Sequence, residues 1–174
     1  MATAAPNGSP NLRRTISVTV ENKFGVLARI ATLFAARGFN IDSLAVGETE
    51  DPAVSRMTIV ASGSEAVLEQ VEKQLNKLID VIKVVSFQKE PHIERDLALI
   101  KMKADKSTRN EIFQIVDIFR AKVVDVAADS IIIEMTGDEG KIQALETLLK
   151  PFGLKEMVRT GIIAMARGSK KKES

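Results

Sequence analysis

The order of its apolar periods constrains this chain more than any other feature. It runs strand, helix, strand, strand, helix, strand, and then runs through that order again. Residues 15–21 alternate, with Ile16, Val18 and Val20 on one face. A turn over 22–25 leads to Leu27, Ile30, Ala31, Leu33 and Phe34, spaced by threes and fours as one helix face requires, and Gly38 is placed to end that helix. Strands follow over 41–46 and around Met57, Ile59 and Ala61, separated by an acidic turn. A second helix carries Val67, Leu68, Val71, Leu75 and Leu78 on one face, and residues 81–87 read as a fourth strand.

Beyond a polar stretch that contains Pro91, the pattern restarts. Residues 97–102 read as a strand, and Ser107 or Thr108 is expected to cap a helix faced by Ile112, Ile115, Val116 and Phe119. Strands are expected over 123–126 and 131–135. A helix with Ile142, Leu145, Leu148 and Leu149 ends at Pro151 and Gly153, and residues 157–165 close the repeat as one strand. The fold class is therefore α+β, with two tandem βαββαβ domains, each an antiparallel sheet with both helices on one face. The expected divisions are a flexible leader 1–12, a first domain 13–88, a linker 89–95, a second domain 96–166 and a basic tail 167–174. The face of the first sheet away from its helices would carry Thr15, Ser17, Thr19, Arg56, Thr58 and Val60, and it is expected to lie open. Units this small often complete their burial by pairing, and edge strands are natural joining points.

Composition then removes functions. With no cysteine in 174 residues there is no disulfide, thiolate metal site or Cys nucleophile, and one histidine rules out a multi-His metal cluster. No run of 18 apolar residues is present to span a membrane, and the first residues lack the basic-then-apolar pattern of an export signal, so a cytoplasmic setting is expected. The formal charge of +2 comes from the tail. Residues 167–174 hold four basic groups and one acidic group, which leaves 21 against 22 elsewhere. A near-neutral body argues against binding a phosphate backbone. The seven Phe residues are scattered at packing positions rather than interleaved with basic residues on a strand face, as RNA stacking would need.

The segment most suggestive of a site is Asn22 to Leu27, where a strand hands over to a helix. Main-chain N–H groups at a helix N-terminus attract carboxylates, and Gly25 permits close backbone approach. The segment thus reads either as a plain capping turn or as a loop for the α-carboxylate of a small amino acid, with Val26 or Leu27 packing nearby. Residues 37–41 are the second candidate: they read either as a segment from which Asn40 reaches a ligand or a neighbouring subunit, or as a Gly C-cap followed by an ordinary turn. Asp42, Glu48, Glu50 and Asp51 read as a solvated rim, His92 as a surface residue of the linker, and no nucleophile accompanies Glu21 and Asp42. No catalytic residues and no metal ligands are assigned.

Several segments carry a resemblance in register: 13–27, 37–46, 51–59, 69–78 and 92–101. Through them the chain resembles the small regulatory subunits of acetohydroxyacid synthase (acetolactate synthase), from about Arg13 to Gly168. The resemblance implies an ACT domain over 13–88 and a second ferredoxin-like domain after it. It implies no catalysis by this chain alone and no cofactor on it. Thiamine diphosphate, Mg²⁺ and FAD are implied on a large catalytic subunit, which the small subunit activates and subjects to feedback inhibition, commonly by valine, in branched-chain amino acid synthesis. Asn22, Gly25, Val26 and Leu27 match the effector loop, and Asn40 and Ile41 match the segment offered across a homodimer of ACT domains. The corresponding turn of the second half, 105–108, has no glycine, so no second effector site is expected. The alternative is a free-standing amino-acid-binding ACT module with another target. An RNA-binding tandem is a third class, which the charge disfavours.

Overall fold

The computed structural model describes residues 12–88 and 91–168. The expected leader, apart from Leu12, and the tail beyond Gly168 lie outside these residues. The chain divides into two compact units, Glu94–Ile163 forming the second.

The first unit has the expected order. β1 (Leu12–Glu21) is followed by α1 (Val26–Ala36), β2 (Asn40–Glu48), β3 (Val54–Gly63), α2 (Glu65–Leu75) and β4 (Val81–Ser86). The sheet runs β2-β3-β1-β4, and its neighbouring strands are antiparallel. β1 and β3 are therefore central, and β2 and β4 are the edges. Ile16, Val18 and Val20 meet Ile30, Phe34, Leu68, Val71 and Leu75 from the two helices in a core closed to solvent. Each such aliphatic contributes about 1.5–3 kcal/mol by leaving water. Gly38 ends α1 as expected: at φ 67° its N–H reaches the Ala35 carbonyl at 3.2 Å, and the Phe39 N–H reaches that of Phe34 at 3.0 Å.

The face away from the helices departs from expectation. The alternation holds, yet Thr15, Ser17, Thr58 and Val60 are buried as well. Cross-strand partners supply part of the shielding, since Thr15 stands opposite Val60, and Ser17 lies between Thr58 and Val85. A small hydroxyl side chain between branched neighbours loses most of its access to water, so periodicity alone misjudges its exposure.

The second sequence repeat comprises β5 (His92–Lys103), α3 (Arg109–Ile118), β6 (Lys122–Val126), β7 (Ser130–Gly137), α4 (Glu139–Leu149), a 3-10 turn (Lys150–Phe152), β8 (Leu154–Arg159) and β9 (Ile163–Ala166). Its strands run β6-β7-β5-β8, with β9 also pairing β5. β5 begins at His92, inside the stretch read as linker, and the His92 ring stacks on Phe87 with centroids 4.7 Å apart. The single closing strand expected over 157–165 is two strands, because Gly161 at φ 88° turns the chain out of extended geometry. The cap of α3 also differs. Thr108 is the residue before the helix but its side chain caps nothing, and Asp105 Oδ1 instead accepts the N–H groups of Ser107 and Thr108 at 2.9 and 3.1 Å.

Candidate functional site

Among the described α-helices, α1 alone has neither a capping side chain nor an acidic residue in its first turn. α2 begins with Ser64 accepting from the Val67 N–H and with Glu65. α4 begins with Asp138 and Glu139, and α3 carries Glu111 and is preceded by the Asp105 turn. At α1 the cap position is Gly25, in the left-handed region at φ 85° and ψ −8°, and the first turn holds no acid. The partial positive charge of this helix end is thus left for solvent or for an anion. A Cβ built on Gly25 would meet nothing within 4 Å, so backbone conformation, and not crowding, is what calls for glycine here.

The loop before it is held firmly. The Asn22 N–H bonds the Ala53 carbonyl at 2.7 Å, and its side-chain Nδ2 donates to Glu48 Oε1 at 3.1 Å and to the Pro52 carbonyl at 2.8 Å. The Asn22 side chain is therefore committed to the end of β2 and to the β2–β3 turn. Lys23 pairs with Glu21 at 2.7 Å, and this hydrogen bond with the accompanying charge attraction raises the Lys23 pKa above its ordinary value. Val26 is buried in the core and its N–H reaches the Lys23 carbonyl at 3.4 Å, whereas Leu27 remains 44% exposed beside the turn.

Asn40 and Ile41 stand elsewhere. Asn40 is exposed and donates to Asp42 at 2.6 Å, while Ile41 is half-buried and packs against the first core. Glu48 pairs with Ser55 on β3, whereas Asn40 pairs with Ser62. Seven strand steps at about 3.4 Å put roughly 24 Å between the two ends. One chain does not bring the Asn22–Leu27 group and the Asn40–Ile41 group together.

The acidic residues behave as ordinary surface groups. Asp42 accepts from Asn40 and Ser62, and Asp51 accepts the Ala53 N–H at 2.9 Å in its own turn. No cluster of His, Asp or Glu suited to a metal occurs among the described residues. Two charged clusters escaped the reading of the sequence. Arg14, buried in β1, reaches Glu65 at 2.7 Å and Glu72 at 2.8 Å on α2. Burial works against its charge, but the hydrogen bonds and charges of the two glutamates outweigh it, and the Arg14 pKa is raised. The spacing of Glu65 and Glu72, two helical turns on one face, was the available signal. Asp96, buried at the β5–β8 pairing, accepts from Arg159 Nε at 2.7 Å and from the Thr160 hydroxyl at 3.1 Å. No local spacing announces that pair, since its members lie more than sixty residues apart.

Comparison with known proteins matches both halves to related families. Residues 16–83 match the AHAS small subunit-like ACT domain, and residues 95–168 match the family described as small subunit of acetolactate synthase. The acetolactate synthase small subunit of Mycolicibacterium smegmatis is 52% identical over 93% of this chain and 94% of its own length. A probable acetolactate synthase small subunit of Archaeoglobus fulgidus is 55% identical over 92% of this chain and all of its own. The chloroplastic small subunit 2 of Arabidopsis thaliana is 56% identical over 94% of this chain, which spans only 34% of that longer protein. The crystal structure of the Thermotoga maritima small subunit superposes with a TM-score of 0.83 at 44% identity, over 91% of this chain and 99% of that one.

Proposed function

This chain belongs to the acetolactate synthase small-subunit family, a regulatory role beside a large catalytic subunit, and from that premise we propose that it activates the large subunit and makes it sensitive to valine. The observation that carries the effector reading is the α1 N-terminus, uncapped at Gly25 and without an acid in its first turn. The Val26 N–H already reaches the Lys23 carbonyl at 3.4 Å; an amino acid carboxylate satisfies the amides that follow it in the first turn, and the exposed Leu27 offers apolar contact to a branched side chain.

The separation of the two residue groups supports a site shared between two copies. β2 is an edge strand, parallel to β1 within the order β2-β3-β1-β4. Antiparallel pairing of β2 with the β2 of a second copy sets the Asn40 end of one chain beside the Glu48 end of the other. Glu48 is where Asn22 is tied. Each homodimer then holds two equivalent sites, each completed by Asn40 and by the main chain of Ile41 from the opposite copy. Valine that favours one arrangement of this interface shifts how the large subunit is engaged.

In this reading the chain performs no chemistry. The large subunit holds thiamine diphosphate, Mg²⁺ and FAD and condenses two pyruvates to acetolactate, within the cytoplasm and in branched-chain amino acid synthesis. None of the helices among the described residues is long and apolar enough to cross a membrane.

Mixing the purified subunits and measuring acetolactate tests the reading. The small subunit alone is expected to turn over no pyruvate, to raise the rate of the large subunit, and to render it sensitive to valine. An unchanged rate on mixing overturns the activator role, and a rate insensitive to valine overturns the effector role.

A further inference from the structure

The Asn22 amide is occupied on one side only. Its Nδ2 donates to Glu48 Oε1 at 3.1 Å and to the Pro52 carbonyl at 2.8 Å, so both of its N–H bonds are taken. An ionised carboxylate and a carbonyl are acceptors alone, and neither donates to an amide oxygen. The amide therefore admits a single orientation, with nitrogen towards the β2–β3 turn. Its Oδ1 accepts no hydrogen bond among the described residues, and the residue is exposed. Two hydrogen bonds fix the plane of the amide. One alone lets it swing, because the last side-chain torsion of Asn is broad.

The mount is itself closed by hydrogen bonds. The Ala53 carbonyl accepts the Asn22 N–H at 2.7 Å, and the Ala53 N–H donates to Asp51 Oδ1 at 2.9 Å. The Thr49 N–H reaches the Val54 carbonyl at 3.0 Å, and its hydroxyl reaches the Asp51 carbonyl at 3.1 Å. These bonds hold the Pro52 carbonyl within a tied turn, and Glu48 closes β2 opposite Ser55. The polar groups gathered at Asn22 are thus acceptors: its own Oδ1, the Glu48 carboxylate and the Pro52 carbonyl. The cation next in sequence, Lys23, is paired with Glu21.

We propose that Glu48 is a positioning residue: by holding the Asn22 nitrogen it presents Asn22 Oδ1 to the ammonium of the effector, and the site thereby selects an α-amino acid against the 2-oxo acid of the same carbon skeleton. The inference rests on the effector reading above, and it adds the direction in which the ligand lies. The carboxylate takes the first turn of α1, and the ammonium takes Asn22, three residues before Gly25. A reversed ligand sets its carboxylate against Oδ1 and the Glu48 carboxylate, where like charge and facing acceptors repel it. The 2-oxo acid keeps the carboxylate and the branched side chain, but it carries an acceptor where the amino acid carries donors. A site built to bond a donor rejects an analogue that lacks it far more strongly than a hydrophobic pocket rejects a missing methylene. A positioning role does not need the charge of Glu48, only an acceptor oxygen at its place.

The test uses the full-length chain and calorimetry with two probes, L-valine and 3-methyl-2-oxobutanoate. The unaltered chain is expected to bind valine about a hundredfold or more tightly than the 2-oxo acid. Equal binding of the two overturns the proposal, and this comparison requires no variant. Glu48→Ala is expected to weaken valine binding about fivefold or more, with affinity for the 2-oxo acid and the melting temperature held. Glu48→Gln, which keeps an acceptor oxygen for Asn22 Nδ2, is expected to restore valine binding. Unchanged valine affinity in Glu48→Ala overturns the proposal. So does a parallel fall for both probes, which makes Glu48 a general support of the loop, and so does a Glu48→Gln variant as weak as Glu48→Ala, which makes charge the cause. The effector reading fails by a different signature, an unaltered chain that binds neither probe.

Discussion

At Gly25 a side chain would meet open space, so the cost of replacing it lies in the backbone and at whatever occupies that space. A residue other than glycine in the left-handed region costs about 1–2 kcal/mol, which a packed unit of this kind tolerates. Gly25→Asp adds a negative charge at the helix end where the effector carboxylate is proposed to sit. The variant is expected to fold and to activate the large subunit, while valine inhibition of the mixed enzyme is lost. Inhibition that survives at the original valine concentration removes this residue from the site. The sequence located the turn, because glycine between a strand and an apolar helix face is a local signal. It did not separate the roles within the segment. Val26 and Leu27 look alike on paper, yet the helix turns the first into the core and leaves the second at the surface.

Elements began and ended largely where their chemistry placed them, and the misses came from partners just outside the expected window. Gly38 ends α1 and Gly153, at φ 92°, follows the 3-10 turn, both from residue type and position. At α3 the sequence suggests Ser107 or Thr108 as the cap, yet Asp105 accepts from both of their N–H groups, because an Asx turn precedes the first helical residue. Hydrogen bonds from the Ser107 side chain and backbone, and then from the Thr108 backbone, lower the Asp105 pKa to about 2. The unfolded pKa is about 3.9, so the folded value is depressed. The stabilisation from this carboxylate is therefore present above about pH 4 and is lost as pH falls towards about 2. Thermal melts across that range are expected to fall less steeply for Asp105→Asn than for the unaltered chain. Parallel curves show that this cap does not contribute to acid sensitivity.

The described residues form a βαββαβ unit and a second repeat of the same order with β9 added, and the proposed function depends on what the first sheet leaves open. β2 exposes an edge with Val46 46% accessible, and a lysine on an edge strand opposes strand addition. Val46→Lys is expected to weaken self-association about tenfold or more in sedimentation equilibrium and to abolish valine sensitivity along with it. An unchanged dimer places the shared interface elsewhere. The sequence by itself determined the order of elements up to the closing strand of the second repeat, the helix-facing core and the family, because these rest on hydrophobic period and on motifs read along neighbouring residues. Only the tertiary structure decided that Asn22 and Asn40 lie at opposite ends of one sheet, that Arg14 and Asp96 find acid and base partners across the fold, and that Thr15 and Ser17 are shielded. Those outcomes depend on strand register and on cross-strand neighbours far away in the chain, and no local period records which residues the register sets side by side.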